Sequence, residues 1–179
     1  MTKINSSAVV IIPPKEMWEP IQEIRRIYDR HIYKWMPHIT LLFPFRPESE
    51  FNTLESLFST ICKKIKSFEI TFGRLKSFNH GKQKYTLWLA PEPESLIIDL
   101  QYKLLEIVPD CNNVNLYKNG FTPHLSVGQI EGKKKLIEVI ETLQRNWSQL
   151  KFTINSIHFI AREKQKPSKF KVKKTFLLN

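Results

Sequence analysis

The sequence predicts an α+β fold of two lobes, with duplicated antiparallel sheets about a pseudo-two-fold axis, helices packed outside and a central groove. Three observations lead there. Pro37-His38-Ile39-Thr40 and Pro123-His124-Leu125-Ser126 are near-copies lying 86 residues apart. Chance predicts only roughly 0.04 occurrences of Pro-His-x-Ser/Thr in a chain of this composition. Around them the order strand, helix, Pro-His strand, helix, strand, turn, strand runs nearly twice. Spacings inside the halves also agree: His38 to Phe68 is 30 residues and His124 to Phe152 is 28, while Phe68 to Tyr85 is 17 and Phe152 to Phe170 is 18. Two copies of so long a period do not make a solenoid. No disordered linker parts the halves, so one domain over 1–179 is expected. Its lobes are about 8–90 and 91–179, with the Tyr85 strand serving both and strand exchange between them left open.

The elements follow from local pattern. Ala8 to Ile12 is an apolar run that reads as a buried strand, ended by Pro13-Pro14. Lys15 to Arg30 reads as a helix with Met17, Ile21, Ile24 and Tyr28 on one face; Pro20 fits only its first turn, so the helix proper begins near Trp18 or Glu19. Pro37 opens a strand from His38 to Phe43. A helix over Glu48 to Lys66 buries Phe51, Leu54, Phe58, Ile61 and Ile65. Phe68 to Leu75 and Tyr85 to Ala90 are strands about an Asn79-His80-Gly81-Lys82 turn. In the second half, a helix from about Glu94 to Val108 buries Ile97, Leu100, Leu104 and Val108. Pro109 to Gly120 is a polar loop, and His124 to Ile130 is the second Pro-His strand. A helix from Lys133 to Trp147 buries Leu136, Ile140, Leu143 and Trp147. Lys151 to Ala161 is a strand, Arg162 to Ser168 a basic loop, and Lys169 to Leu178 the closing strand.

Composition narrows the partners. The chain of 179 residues carries 28 basic and 17 acidic side chains, a net charge of +11. That excess favours a polyanion, nucleic acid first. No apolar run is long enough to cross a bilayer. Two cysteines, Cys62 and Cys111, do not form a disulfide framework, which points to a reducing compartment, the cytoplasm or the nucleus.

The repeated tetrapeptides carry the chemistry. On a strand, residues two apart share a face, so His38 sides with Thr40 and His124 with Ser126. Two histidines in one groove can divide proton work, one as base and one as acid. Hydroxyls beside them can donate to non-bridging phosphate oxygens as charge develops. Either motif alone would fit a strand histidine satisfied by backbone groups; the matched pair argues for catalysis. No cysteine or carboxylate stands at ligand spacing from either histidine, so neither a metal nor another cofactor is expected. His31, His80 and His158 have no matching context and read as surface or core residues.

With His38-Ile39-Thr40-Leu41 and His124-Leu125-Ser126-Val127 both fitting His-x-Thr/Ser-x with apolar x, the chain resembles the two-histidine (2H) phosphoesterase superfamily. This includes bacterial 2′-5′ RNA ligase-like proteins and plant cyclic phosphodiesterases. The resemblance runs from the Ala8 strand to the closing strand. It implies a bilobed fold with the motifs facing across the groove, and His38, Thr40, His124 and Ser126 as catalytic residues. It also implies metal-independent cleavage of 2′,3′-cyclic phosphates or 2′-5′ phosphodiester bonds in RNA or nucleotides. A non-catalytic RNA- or nucleotide-binding module using the same groove, or 2′-5′ RNA end joining, are the alternatives. Many RNA ligase-like members carry an arginine shortly after the second motif, where this chain has Gly128-Gln129.

Substrate contacts are expected from residues near the motifs and in flanking loops. Tyr33, Trp35 and Phe121 are candidates to stack on a base. Lys34, Lys82, Lys84 and Lys118 are candidates to border the groove, and Arg162, Lys164, Lys166 and Lys169 make a basic loop that would hold an RNA backbone. A monomer with no membrane partner is expected.

Overall fold

The first strand, β1 (Ser7–Ile11), is buried along its whole length, as its unbroken apolar run demands. It belongs to a computed structural model that describes residues 2–117, 120–163, 165 and 168–179. A single 3₁₀ turn (Lys15–Met17) leads into α1 (Trp18–Tyr28), so Pro20 falls in the helix's first turn, where no backbone N–H is needed. β2 (Ile39–Leu42), α2 (Phe51–Cys62), β3 (Phe68–Asn79) and β4 (Lys84–Glu92) complete the first half. α3 (Glu94–Leu105), β5 (Leu125–Glu131), α4 (Lys133–Asn146), β6 (Leu150–Ile154), β7 (Ser156–Ala161) and β8 (Lys171–Leu177) make the second.

Two antiparallel four-stranded sheets result, ordered β2-β1-β7-β8 and β5-β4-β3-β6. Each carries a Pro-His strand at one edge, beside the strand that precedes it in sequence. Strands are exchanged in pairs. β3 and β4 of the first half lie with β5 and β6 in the second sheet, and β7 and β8 of the second half lie with β1 and β2 in the first.

Several boundaries differ from the sequence reading, each for a local reason. Lys151 to Ala161 is two strands in two sheets, not one. The buried phase switches from Phe152 and Ile154 to Ile157 and Phe159, and Asn155 is the exposed step between them. The helix expected to reach Lys66 ends at Cys62, where the chain tightens into three-residue bonds from Lys64 N–H to the Ile61 carbonyl and Ile65 N–H to the Cys62 carbonyl. Ile65 stays buried through that turn. α3 stops at Leu105 rather than Val108, four residues before Pro109. Both Pro-His strands begin one residue later than expected, at Ile39 and Leu125, so each histidine stands at the mouth of its strand.

The sheets share one apolar cluster with the helices. Val9, Ile11, Ile39 and Leu41 from the first sheet join Leu87, Leu89, Leu125 and Val127 from the second. Phe159 at its centre packs within 5 Å, ring centre to ring centre, of Phe45, Phe51, Phe58 and Phe176. The alternate residues of the first sheet turn to the groove, where Ala8, Val10 and Ile160 form a small second cluster with Phe170.

The lobes also meet at α1 and β5. A Cβ at Gly128 would lie 2.5 Å from Tyr28 Cβ and 3.2 Å from the Tyr28 carbonyl oxygen, so only glycine lets the helix end approach the strand this closely. Among the described residues, no helix is long and apolar enough to cross a membrane.

Candidate active site

Both motifs sit alike on their sheets. Thr40 is the cross-strand partner of Val10 on β1, and Ser126 that of Trp88 on β4. Ile39, Leu41, Leu125 and Val127 are fully buried in the core, while His38, Thr40, His124 and Ser126 are only half-buried. The alternation read from sequence therefore turns both His-hydroxyl pairs toward the groove.

The ring of each histidine is oriented in the same way. His38 Nδ1 lies 2.7 Å from the Met36 carbonyl oxygen, and His124 Nδ1 lies 2.8 Å from the Thr122 carbonyl oxygen. A carbonyl can only accept, so Nδ1 carries the proton in both. Each neutral imidazole then keeps its lone pair at Nε2, free to take a proton. Burial lowers the pKa of His38 to about 4, against the pull of the Met36 carbonyl; the positive charges of Arg25 and His124 lower it further. His124 is also lowered by burial, with the Thr122 carbonyl opposing. The repulsion between His38 and His124 places the two imidazoles within electrostatic reach of each other.

Aromatic rings hold both histidines. Trp35 stacks on His38 with centroids 4.8 Å apart, and on its other side touches Phe170 at 3.6 Å. His124 meets Phe78 edge-on at 4.9 Å and Trp88 at 5.8 Å, and those two rings stack on each other at 4.7 Å. Cations cap both sets, with Lys34 over Trp35, Arg162 over Phe170 and Lys76 over Trp88. Trp88 Nε1 is buried with no hydrogen-bond partner, an indole donor left unused beside Ser126.

A buried network joins the motifs from behind. Arg25 and Asp29, only 2% and 4% exposed, pair at 2.8 Å. Arg25 also donates to the Gln22 side chain and to the Trp35 carbonyl, three residues before His38. Asp29 Oδ1 accepts from the His31 backbone and from Gln129 Nε2, and Gln129 Oε1 accepts from the Arg30 backbone. Gln129 thus bridges the lobes through the end of α1.

The other expected contacts divide. Trp35 and Lys34 lie at the first motif. Tyr33 is 80% exposed, and Phe121 is half-buried against the main core. Lys82 and Lys84 are at the tip of the β3–β4 hairpin. Lys84 is opposite Glu131, five residues along β5 from Ser126, or roughly 17 Å at strand rise. Lys118, Lys164 and Lys166 lie outside the described residues. Sequence reasoning missed Phe78, Trp88, Phe170, Arg25 and Asp29. The β4 alternation placed Trp88 opposite Leu87 and Leu89, but only the strand register brings Trp88 to Ser126. Among the described residues, no group of three or more His, Cys, Asp or Glu is arranged to hold a metal ion.

The model of the 2′-5′ RNA ligase superfamily matches residues 13–166. A Bacillus cytotoxicus protein provisionally named a phosphoesterase is 25% identical over 163 residues, covering 85% of this chain and 86% of its own length. A similarly named Bacillus cereus protein is 29% identical over 134 residues, covering 68% and 67%. In structure, TT0787 of Thermus thermophilus superposes with a TM-score of 0.66 at 17% identity, over 97% of both chains. E. coli LigT complexed with 3′-AMP does so with a TM-score of 0.62 at 15% identity, over 98% of both. The repeated motifs, the traded strands and the family match agree, and the chain belongs to the 2′-5′ RNA ligase superfamily of two-histidine phosphoesterases.

Proposed function

We propose that the chain is a metal-independent phosphodiesterase that opens 2′,3′-cyclic phosphates, or cuts 2′-5′ linkages, in RNA or nucleotides. The observation that carries this is the matched orientation of the two histidines. Each Nδ1–H is committed to a carbonyl two residues earlier, and each Nε2 is left for the groove.

The proton work follows from their differences. His38 is held neutral by burial and by Arg25, which suits a general base. Its Nε2 removes a proton from water, and the water oxygen bonds to phosphorus. His124 gives its Nε2 proton to the ribose oxygen that leaves as the P–O bond breaks. It must first be charged, and the bound phosphate anion favours that form against burial. Thr40 and Ser126 donate to the non-bridging oxygens, with the unused Trp88 N–H beside Ser126 as a further donor. The +11 charge supports an anionic substrate.

The test is incubation with an oligonucleotide ending in a 2′,3′-cyclic phosphate, in EDTA. A monophosphate end is the expected product. A strict requirement for a divalent metal, or no product from either the cyclic end or a 2′-5′ dinucleotide, overturns the reading.

A further inference from the structure

We propose that the open cavity beside His38, floored by His158, is the subsite for the nucleoside of the substrate. This rests on the phosphodiesterase reading above and names the part of the substrate that the motifs do not hold. Cross-strand partners run from Thr40 through Val10 and His158 to Thr175. Such partners share a sheet face, so the Thr40 hydroxyl and the His158 ring look into one groove, two strand spacings or about 10 Å apart. That separation suits a phosphate at the motif with its base lying over β7. The cavity holds about 480 Å³, within the usual range for small-ligand sites. One of its walls is Met36, two residues before His38, whose carbonyl orients the His38 ring.

The lining has the chemistry of a base site rather than a phosphate site. Its formally charged residues among those described are Lys15 and Glu16, adjacent and of opposite sign. Trp18 gives an apolar wall held in place by its Nε1–H bond to the Pro13 carbonyl at 2.8 Å. Ile12 and Val172 add apolar surface. His158 is the polar floor, kept neutral by burial and so offering one donor and one acceptor. The Thr175 hydroxyl is 3.0 Å from its Nδ1. Ser156 Oγ donates to Asn155 Oδ1, which leaves it as an acceptor for His158 Nε2–H at 3.4 Å. A bond that long is weak and readily exchanged for an acceptor on a base edge.

The test compares a nucleoside 2′,3′-cyclic phosphate with methyl riboside 2′,3′-cyclic phosphate, which has the same scissile bonds and no base. The wild-type KM is expected to be at least about tenfold lower for the nucleotide, the scale of one stacked base. Val172→Trp, at a position 45% exposed on β8, should fill the cavity and bring the ratio of the two KM values close to one. His158→Ala should narrow it, with the thermal melt of both variants checking the fold. Equal KM values in the wild type, or undiminished discrimination by a folded Val172→Trp chain, overturn the proposal. Adenosine, which has no phosphate, should shift the His158 ring resonances of the wild type. If adenosine binds there while neither cyclic phosphate is turned over, the subsite stands and the phosphodiesterase reading falls. Turnover with neither base discrimination nor adenosine binding does the reverse.

Discussion

The two halves of the site are built alike and tuned differently. In each, a proline precedes a histidine whose Nδ1–H is tied to the carbonyl two residues back, a hydroxyl follows two residues on, and a stack of two aromatic rings under a cation supports the ring. The difference lies in charge and contact. His38 lies flat against Trp35 and feels the buried Arg25, whereas His124 is met edge-on by Phe78 and Trp88 and is perturbed by burial and its carbonyl alone. In one duplicated frame burial lowers the pKa of both imidazoles, and His38 alone also feels the charge of Arg25. That added charge is the difference on which the proposed base and acid roles rest.

Removing either ring is the most severe way to break the comparison. His38→Ala and His124→Ala should each lower kcat at least about 10²-fold. The double variant should be little worse than either single one, because the rings act as a unit. Steady-state kinetics on a cyclic phosphate measures both.

Arg25 tests the asymmetry itself. Arg25→Met leaves Asp29 buried without its cation, a loss of about 3–5 kcal/mol by denaturant titration. In chains that remain folded, His38 loses a positive neighbour, so its pKa rises and the acid limb of kcat/KM moves to higher pH. The same titration in Arg25→Lys, which keeps the charge, should leave that limb nearer its wild-type position.

A smaller effect concerns stability. The folded chain holds the His38 pKa at about 4 against an ordinary 6.5, so between those values the unfolded chain binds more protons at this site. Stability is therefore present above pH 6.5 and is lost as pH falls toward 4, by at most about 3 kcal/mol from this group. His38→Gln should flatten the stability curve in that window. An unchanged slope would mean that the burial of His38 is not its cause.

Much of this was legible in the residues. The paired motifs, the repeat and the helix faces were carried by local pattern, because a strand's alternation and a helix's period are short-range properties. What escaped were features set by pairing between distant segments. The exchange of β3 and β4 for β7 and β8 between sheets leaves no local trace beyond the phase switch at Asn155, and Trp88 comes to Ser126 only through the β4–β5 register. Arg25 and Asp29 stand four residues apart, a spacing that carries no signal of burial, yet they are buried where β5 lies over the end of α1 at Gly128. His158, which read as a surface or core histidine, is set on the groove face by its pairing with Val10.

The division of labour between the histidines is tested most directly by leaving-group chemistry. A phosphodiester with a p-nitrophenol leaving group needs no proton on the departing oxygen, while a ribose leaving group does. His124→Ala should recover most of the lost rate on the activated ester, and His38→Ala should remain impaired on both substrates. Equal rescue of the two variants, or rescue of His38→Ala alone, would contradict the assignment of His38 as base and His124 as acid.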